Sequence, residues 1–233
     1  MNKGLRNVFI GLAIILGVVS LLHTTRMIGA YNFPTYANEP GIMAGSKIIV
    51  SSLITPERGD FICFDHEYNN GFEIHGSGLS VFRLIALPHD IVEIRSGVVF
   101  VNNQNIDENM ELNHVYVIKH DKYKQLLKKG ELDKDGLMAY LNEDSSLVCM
   151  STEIAKRNGL SDRMYIDPEN KAEKEIKEVY QQNWNRNNFG PLEIPEGKYF
   201  VLGDNRDNAL DSRYIGLIDE ARIIGTVINV MYF

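Results

Sequence analysis

Between Gly203 and Gly216 the chain reads GDNRDNALDSRYIG, with Asp204, Arg206, Asp207, Asp211 and Arg213 crowded into one short run. An apolar strand-like run, Lys198 to Leu202, leads directly into it. Unpaired charges beside a core are costly to bury. The run therefore predicts a paired, hydrogen-bonded turn next to a strand, and any fold adopted by this chain must supply partners for it.

Short β-rich runs occupy residues 31–108: Lys47 to Val50, Phe61 to Phe64, Val81 to Leu87, Ile91 to Ile94 and Val98 to Val101. Turn signals separate them, among them Arg58-Gly59-Asp60, Asn69-Asn70-Gly71 and Asn102-Asn103. This spacing predicts antiparallel sheets, with Val98 to Val101 as one arm of a hairpin. The texture changes over 109–190. Residues 121–129 and 133–141 have helical periodicity, Ser145 to Met150 reads as a strand, and Asp167-Pro168-Glu169 has the composition of a helix start leading into 170–182. That stretch is read as an α/β insertion on a β body. Strand character resumes at Tyr199 to Leu202, and Ile223 to Phe233 reads as a closing strand pair.

At the N-terminus, Lys3 and Arg6 precede an uncharged apolar run from Val8 to Leu22, which ends at His23 and Arg26. Ile28-Gly29-Ala30 has a bulky residue where a signal-peptide cleavage site wants a small one. The segment is therefore read as an uncleaved, single-pass membrane helix. Lys3 and Arg6 would hold its start on the cytoplasmic side, with the main domain outside the cytoplasmic (inner) membrane. A net charge of −7 and the lack of a basic stripe exclude a nucleic-acid binder. The six histidines lack ligand spacing, so neither a metal nor another cofactor is expected. Cys63 and Cys149 both lie in apolar runs and read as buried thiols rather than a disulfide.

Four segments, in order, resemble the type I signal peptidases, membrane-anchored serine endopeptidases with a Ser/Lys dyad. They are Phe33-Pro34-Thr35-Tyr36-Ala37-Asn38-Glu39-Pro40 with the strand after it, Arg58-Gly59-Asp60-Phe61-Ile62-Cys63-Phe64, Arg83-Leu84-Ile85-Ala86-Leu87-Pro88-His89-Asp90, and residues 203–216. The resemblance implies a mainly β fold: a signal-peptidase-like antiparallel β body (31–108 and 191–233), an α/β cap insertion (109–190), and residues 1–30 as cytoplasmic N-terminus and transmembrane anchor. It also implies a groove for the signal-peptide region of exported preproteins, with Thr35, Ala37 and Asn38 at the oxyanion and peptide positions. Arg58, Asp60, Arg83, Gly203, Asp204, Asn205, Arg206, Asp207, Asp211, Ser212 and Arg213 match the structural signature.

The reactive positions depart from that pattern. Where the family places its nucleophile, its general-base lysine and the serine that orients the lysine, this chain has Ala37, Phe82 and Ala209. A dyad needs an attacking hydroxyl and a lysine kept neutral by burial; neither stands at these positions. No Ser-x-x-Lys occurs, Ser46 and Lys47 point to opposite faces of a strand, Arg83 stays protonated, and Tyr36 reads as a packing residue. The expected function is a pseudoenzyme that holds an extended peptide uncut, in contact with membrane lipid and with an active paralogue or secretion component as partner. Two alternatives stand beside it. One is an active signal peptidase with a displaced nucleophile, drawn from Ser46, Ser51, Ser52, Ser77 and Ser80. The other is a structural subunit that docks a partner through the cap.

Overall fold

The computed structural model describes residues 3–24, 27–67 and 77–232. Helix α1 (Lys3–Thr24) comes first, and its described apolar side chains, Phe9, Ile14 and Leu16 among them, stand exposed. Among the described residues no helix is long and apolar enough to cross a membrane. The side chains of Val18, Val19 and Leu22, which belong to the apolar run, lie outside the described residues, as does the Asn69-Asn70-Gly71 turn signal.

Seven strands follow: β1 (Ile28–Asn32), β2 (Lys47–Ser51), β3 (Phe61–Glu67), β4 (Ser77–Ala86), β5 (Ile91–Arg95), β6 (Val98–Val101) and β7 (Gln104–Asn105). Next come β8 (Asn113–Lys119), α2 (His120–Lys128), β9 (Leu137–Tyr140), β10 (Ser145–Ser151), α3 (Thr152–Arg157) and α4 (Lys174–Tyr180). The chain ends with β11 (Phe189–Glu193), β12 (Lys198–Leu202), α5 (Ser212–Ile215), β13 (Ile218–Asp219) and β14 (Ile223–Met231).

A seven-stranded sheet runs β1-β2-β14-β3-β4-β12-β13 with every pairing antiparallel. Strand β4 meets β3 from Ser77 through Arg83, but meets β12 only at Arg83, Leu84 and Ala86. Among the described residues, the amino-terminal half of β4 therefore has a strand neighbour on one side only. A four-stranded sheet, β11-β5-β6-β7, packs against the β4–β12 region. Its inward residues alternate, Val92 and Ile94 with Val99 and Val101, and share a core with Ile85, Phe189 and Phe200. The β6–β7 hairpin turns on Asn102 and Asn103, both with positive φ, the geometry a two-residue hairpin loop wants. The third sheet, β8-β10-β9, carries α2 and α3 over a core of its own that includes Tyr116, Leu126, Val148 and Met150.

Four sequence expectations are corrected. Residues 133–141 form a single 3₁₀ turn at Lys134–Gly136 and then β9, because pairing with β10 overrides a weak helical period that already contains a glycine. Helix α4 starts at Lys174 rather than 170. Before it, the Lys171 N–H donates to Pro168 O in a turn, and the Glu173 N–H donates to Trp184 O. The C-terminal segment is one bulged strand, β14, held between β2 and β3, not a pair. Tyr36 is 56% exposed, so it is not a packing residue. Strands β1 and β8 and helix α3 were not legible in the sequence. The two cysteines are free thiols, Cys63 buried and Cys149 partly so.

Candidate functional site

The turn after β12 is an ion-paired frame. Arg83 leaves β4 and grips Asp204 with two bonds, Nε to Oδ1 at 2.7 Å and Nη2 to Oδ2 at 2.5 Å, while its Nη1 donates to Gly59 O at 2.7 Å. Its guanidinium also stacks 4.1 Å over the Phe61 ring. Gly41 passes so close that a Cβ there would come within 2.1 Å of Asp204 Oδ2. Arg206 makes a two-pronged pair with Asp107 at 2.7 and 2.8 Å. Arg213, 2% exposed, makes two 2.8 Å bonds to Asp211 and donates to Arg206 O at 2.5 Å. Bidentate geometry of this kind repays much of the desolvation of both charges. Asp211 also caps α5 by accepting from the Arg213 N–H, and it accepts from the Gly203 N–H. The Ser212 hydroxyl accepts from the Val201 N–H at 2.9 Å, tying α5 to β12.

This frame holds the segment at residues 36–38 in place. The Asn205 N–H donates to Ala37 O at 3.0 Å and its side-chain amide donates to Tyr36 O at 3.1 Å. Gly203 lies directly beneath: a Cβ there would fall 2.4 Å from Ala37 O and 2.5 Å from Ala209 Cβ. On the other side, the turn joins the β8 sheet through bonds between Asn113 and the backbones of Asp204 and Arg206. Asp207 accepts from the Val115 N–H at 2.8 Å and lies 3.6 Å from His114 Nδ1 and 3.5 Å from Arg186 Nε. Burial works to raise the Asp207 pKa, but the interactions with His114, the Arg186 guanidinium and the Val115 N–H outweigh it and hold the carboxyl below its usual value.

Above the frame, Ala37, Phe82 and Ala209 fall into one apolar cluster with Ile62, Phe64, Leu84 and Val201. Ala37 and Phe82 both line a groove of about 470 Å³. One wall runs from Tyr31 to Thr35; the other is the half-paired stretch of β4 from Leu79 to Phe82, with Cys63, Asn208 and Leu210 completing it. No lysine is among the lining residues, and burial pushes the Cys63 thiol up to about 12, so it stays protonated at neutral pH.

Thr35 and Ala37 thus lie in the groove, whereas Asn38 does not: it is fully buried beneath it and donates from Nδ2 to Val81 O at 2.7 Å. Arg58 and Asp60 stand apart from the groove. Arg58 pairs with Asp90 at 2.8 Å, and Asp60 accepts from the Glu57 N–H. Of the candidate serines, Ser46 and Ser51 are buried in the body, the Ser77 side chain is outside the described residues, and Ser80 lines the groove. Sequence reasoning missed Leu79 and Leu210 as groove residues. Ser80 was legible, since it stands two residues before Phe82 and shares its strand face.

The fold and this site define a class: an antiparallel β protein with a hydrophobic groove set on a frame of buried Arg–Asp pairs. The chain belongs to the family described as "Signal peptidase, peptidase S26", which matches residues 5–232. A Signal peptidase I of Bacillus licheniformis is 27% identical over 92% of this chain and 82% of its own length. One from Buchnera aphidicola subsp. Baizongia pistaciae is 27% identical over 79% of this chain, which spans only 58% of that relative. One from Bacillus amyloliquefaciens is 35% identical over half of this chain. A solved signal peptidase I from Enterococcus faecalis V583 is similar over 75% of this chain and 97% of that one at 22% identity; its TM-score of 0.37 is too low to carry an argument.

Proposed function

We propose that the protein is a signal-peptidase-like pseudoenzyme, which holds the extended signal-peptide region of an exported preprotein without cutting it. The observation that carries this reading is the meeting of Ala37, Phe82 and Ala209 in one apolar cluster at the groove, with no lysine lining it among the described residues. None of the described lining residues is a lysine that could take the proton of an attacking hydroxyl. The open half of β4 supports binding by strand addition. In this reading Thr35 and Ala37 border the peptide, and the Arg83–Asp204, Arg206–Asp107 and Arg213–Asp211 pairs are its scaffold. The exposed apolar side chains of α1 support an anchor in the cytoplasmic membrane, start inside and body outside, with membrane lipid as a partner. The 109–190 cap serves as the docking face for an active paralogue or secretion component.

The test is incubation of purified protein with a signal-peptide-bearing precursor. Stable association without turnover is expected; cleavage at ordinary enzyme rates overturns the reading. One observation favours a second reading, an active peptidase with a displaced nucleophile: Ser80 lines the groove on the face of Phe82. That reading requires cleavage that Ser80→Ala abolishes.

A further inference from the structure

We infer that the groove discriminates against charge, and so against peptide ends: it retains an uncharged internal segment of an intact chain and rejects the same segment once it terminates in a free carboxylate. This rests on the reading of the groove as a peptide site and says which peptide it takes. Among the described residues, every side chain lining the groove is of an uncharged type. The charged neighbour in sequence, Arg83, does not line the groove and spends its donors on Asp204 and Gly59 O. The Arg206 and Arg213 guanidiniums are held by Asp107 and Asp211 in the frame below. Among the described residues, no cation lines the groove to meet a carboxylate.

An ion entering such a site gives up its water without gaining a partner, which is costly for either sign. Backbone amides of an internal segment lose less, because the edge of β4 that faces away from β3 has, among the described residues, no strand neighbour before Arg83 and offers them partners. Leu79 shares the backbone direction of Val81, whose carbonyl faces the Asn38 amide rather than β3. The rim adds apolar contact from Leu79 and Leu210, both exposed. Phe82 is the residue that sets this preference: a lysine there, held neutral by burial in the empty groove, would take up a proton beside an entering terminal carboxylate and give it a counter-charge.

The experiment compares fluorescently labelled peptides of Ala, Val, Leu and Ser on the full-length protein in detergent micelles. One set ends in a free carboxylate within the groove segment, one ends there in an amide, and one runs several uncharged residues further before its carboxylate. A fourth set places Lys or Asp at the centre. The amide and the longer peptide are expected to bind alike, with the short acid and both centrally charged peptides weaker by roughly tenfold or more. Weakening by Lys as well as Asp separates desolvation from repulsion by the net negative protein. Equal binding of all peptides overturns the inference while leaving a peptide site in place. Binding of none overturns the peptide-site reading itself and this inference with it. Phe82→Lys is expected to gain affinity for the short acid alone. If that variant fails to fold, the wild-type comparison stands without it.

Discussion

Arg213 is the residue on which the frame most depends, because among the described residues its guanidinium, 2% exposed, is ion-paired with Asp211 alone. Replacing Asp211 with Ala strands that charge and removes the cap of α5 and the acceptor of the Gly203 N–H. A loss of about 3–5 kcal/mol is expected in denaturant unfolding. Replacing both partners with apolar residues is expected to cost less than the single change. The pairing of this turn was legible in the sequence, since charge density beside an apolar strand demands partners. The identity of those partners was not: Asp107 and Arg83 come from distant segments that only the fold brings near. The three replaced positions carry a second prediction. Ala37→Ser, Phe82→Lys and Ala209→Ser together are expected to give measurable precursor cleavage by gel assay, and any one alone none, because such groups act as a unit.

Strand β4 has two halves with different duties. Its carboxyl half is locked between β3 and β12, while its amino half faces the groove. Proline at Leu79 removes an N–H that points away from β3, and proline at Ser80 removes one that points toward it. Leu79→Pro is therefore expected to keep most of the thermal stability and lose peptide binding. Ser80→Pro is expected to lose roughly 1–3 kcal/mol for the broken ladder bond. Calorimetry beside a peptide titration distinguishes the two; equal stability loss at both positions removes the case for an open edge. Elements that are short β-rich runs bounded by turn signals, such as β5 and β6, could be read from sequence alone. Strand β9 could not, because its four residues gain their conformation from pairing with β10 rather than from any local period. Strand β8 hid for a similar reason: its side chains are buried on both faces, as in Val115, Tyr116 and Ile118, so no alternation marks it.

At the scale of the molecule, buried acids that stay protonated when folded make stability fall on the alkaline side. Burial pushes the thiols of Cys63 and Cys149 up to about 12, and burial with the nearby Asp207 and Cys149 charges does the same for the Tyr116 phenol. In the unfolded chain these groups titrate near ~8.5 for thiols and ~10 for tyrosine. Their folded values are the higher ones, so their contribution is complete below about pH 8.5. It drains away as pH rises towards about 12, while the unfolded chain sheds protons the folded one keeps. With two thiols, the unfolding free energy is expected to drop by roughly 2–3 kcal/mol per pH unit once both titrate in the unfolded chain. Asp207 acts in the opposite sense: its lowered value stabilises the fold above about pH 4 and is lost on acidification. Urea unfolding across a pH series should therefore show a plateau near neutrality and a fall beginning near the thiol range. A thiol reagent should be slow on the native protein and rapid once urea is added. Replacing both cysteines with alanine should move the onset of the alkaline fall up towards the tyrosine range. If the doubly substituted protein keeps the wild-type pH profile, the thiols are not its source, and the burial of Cys63 behind the groove has no bearing on how the fold responds to alkali.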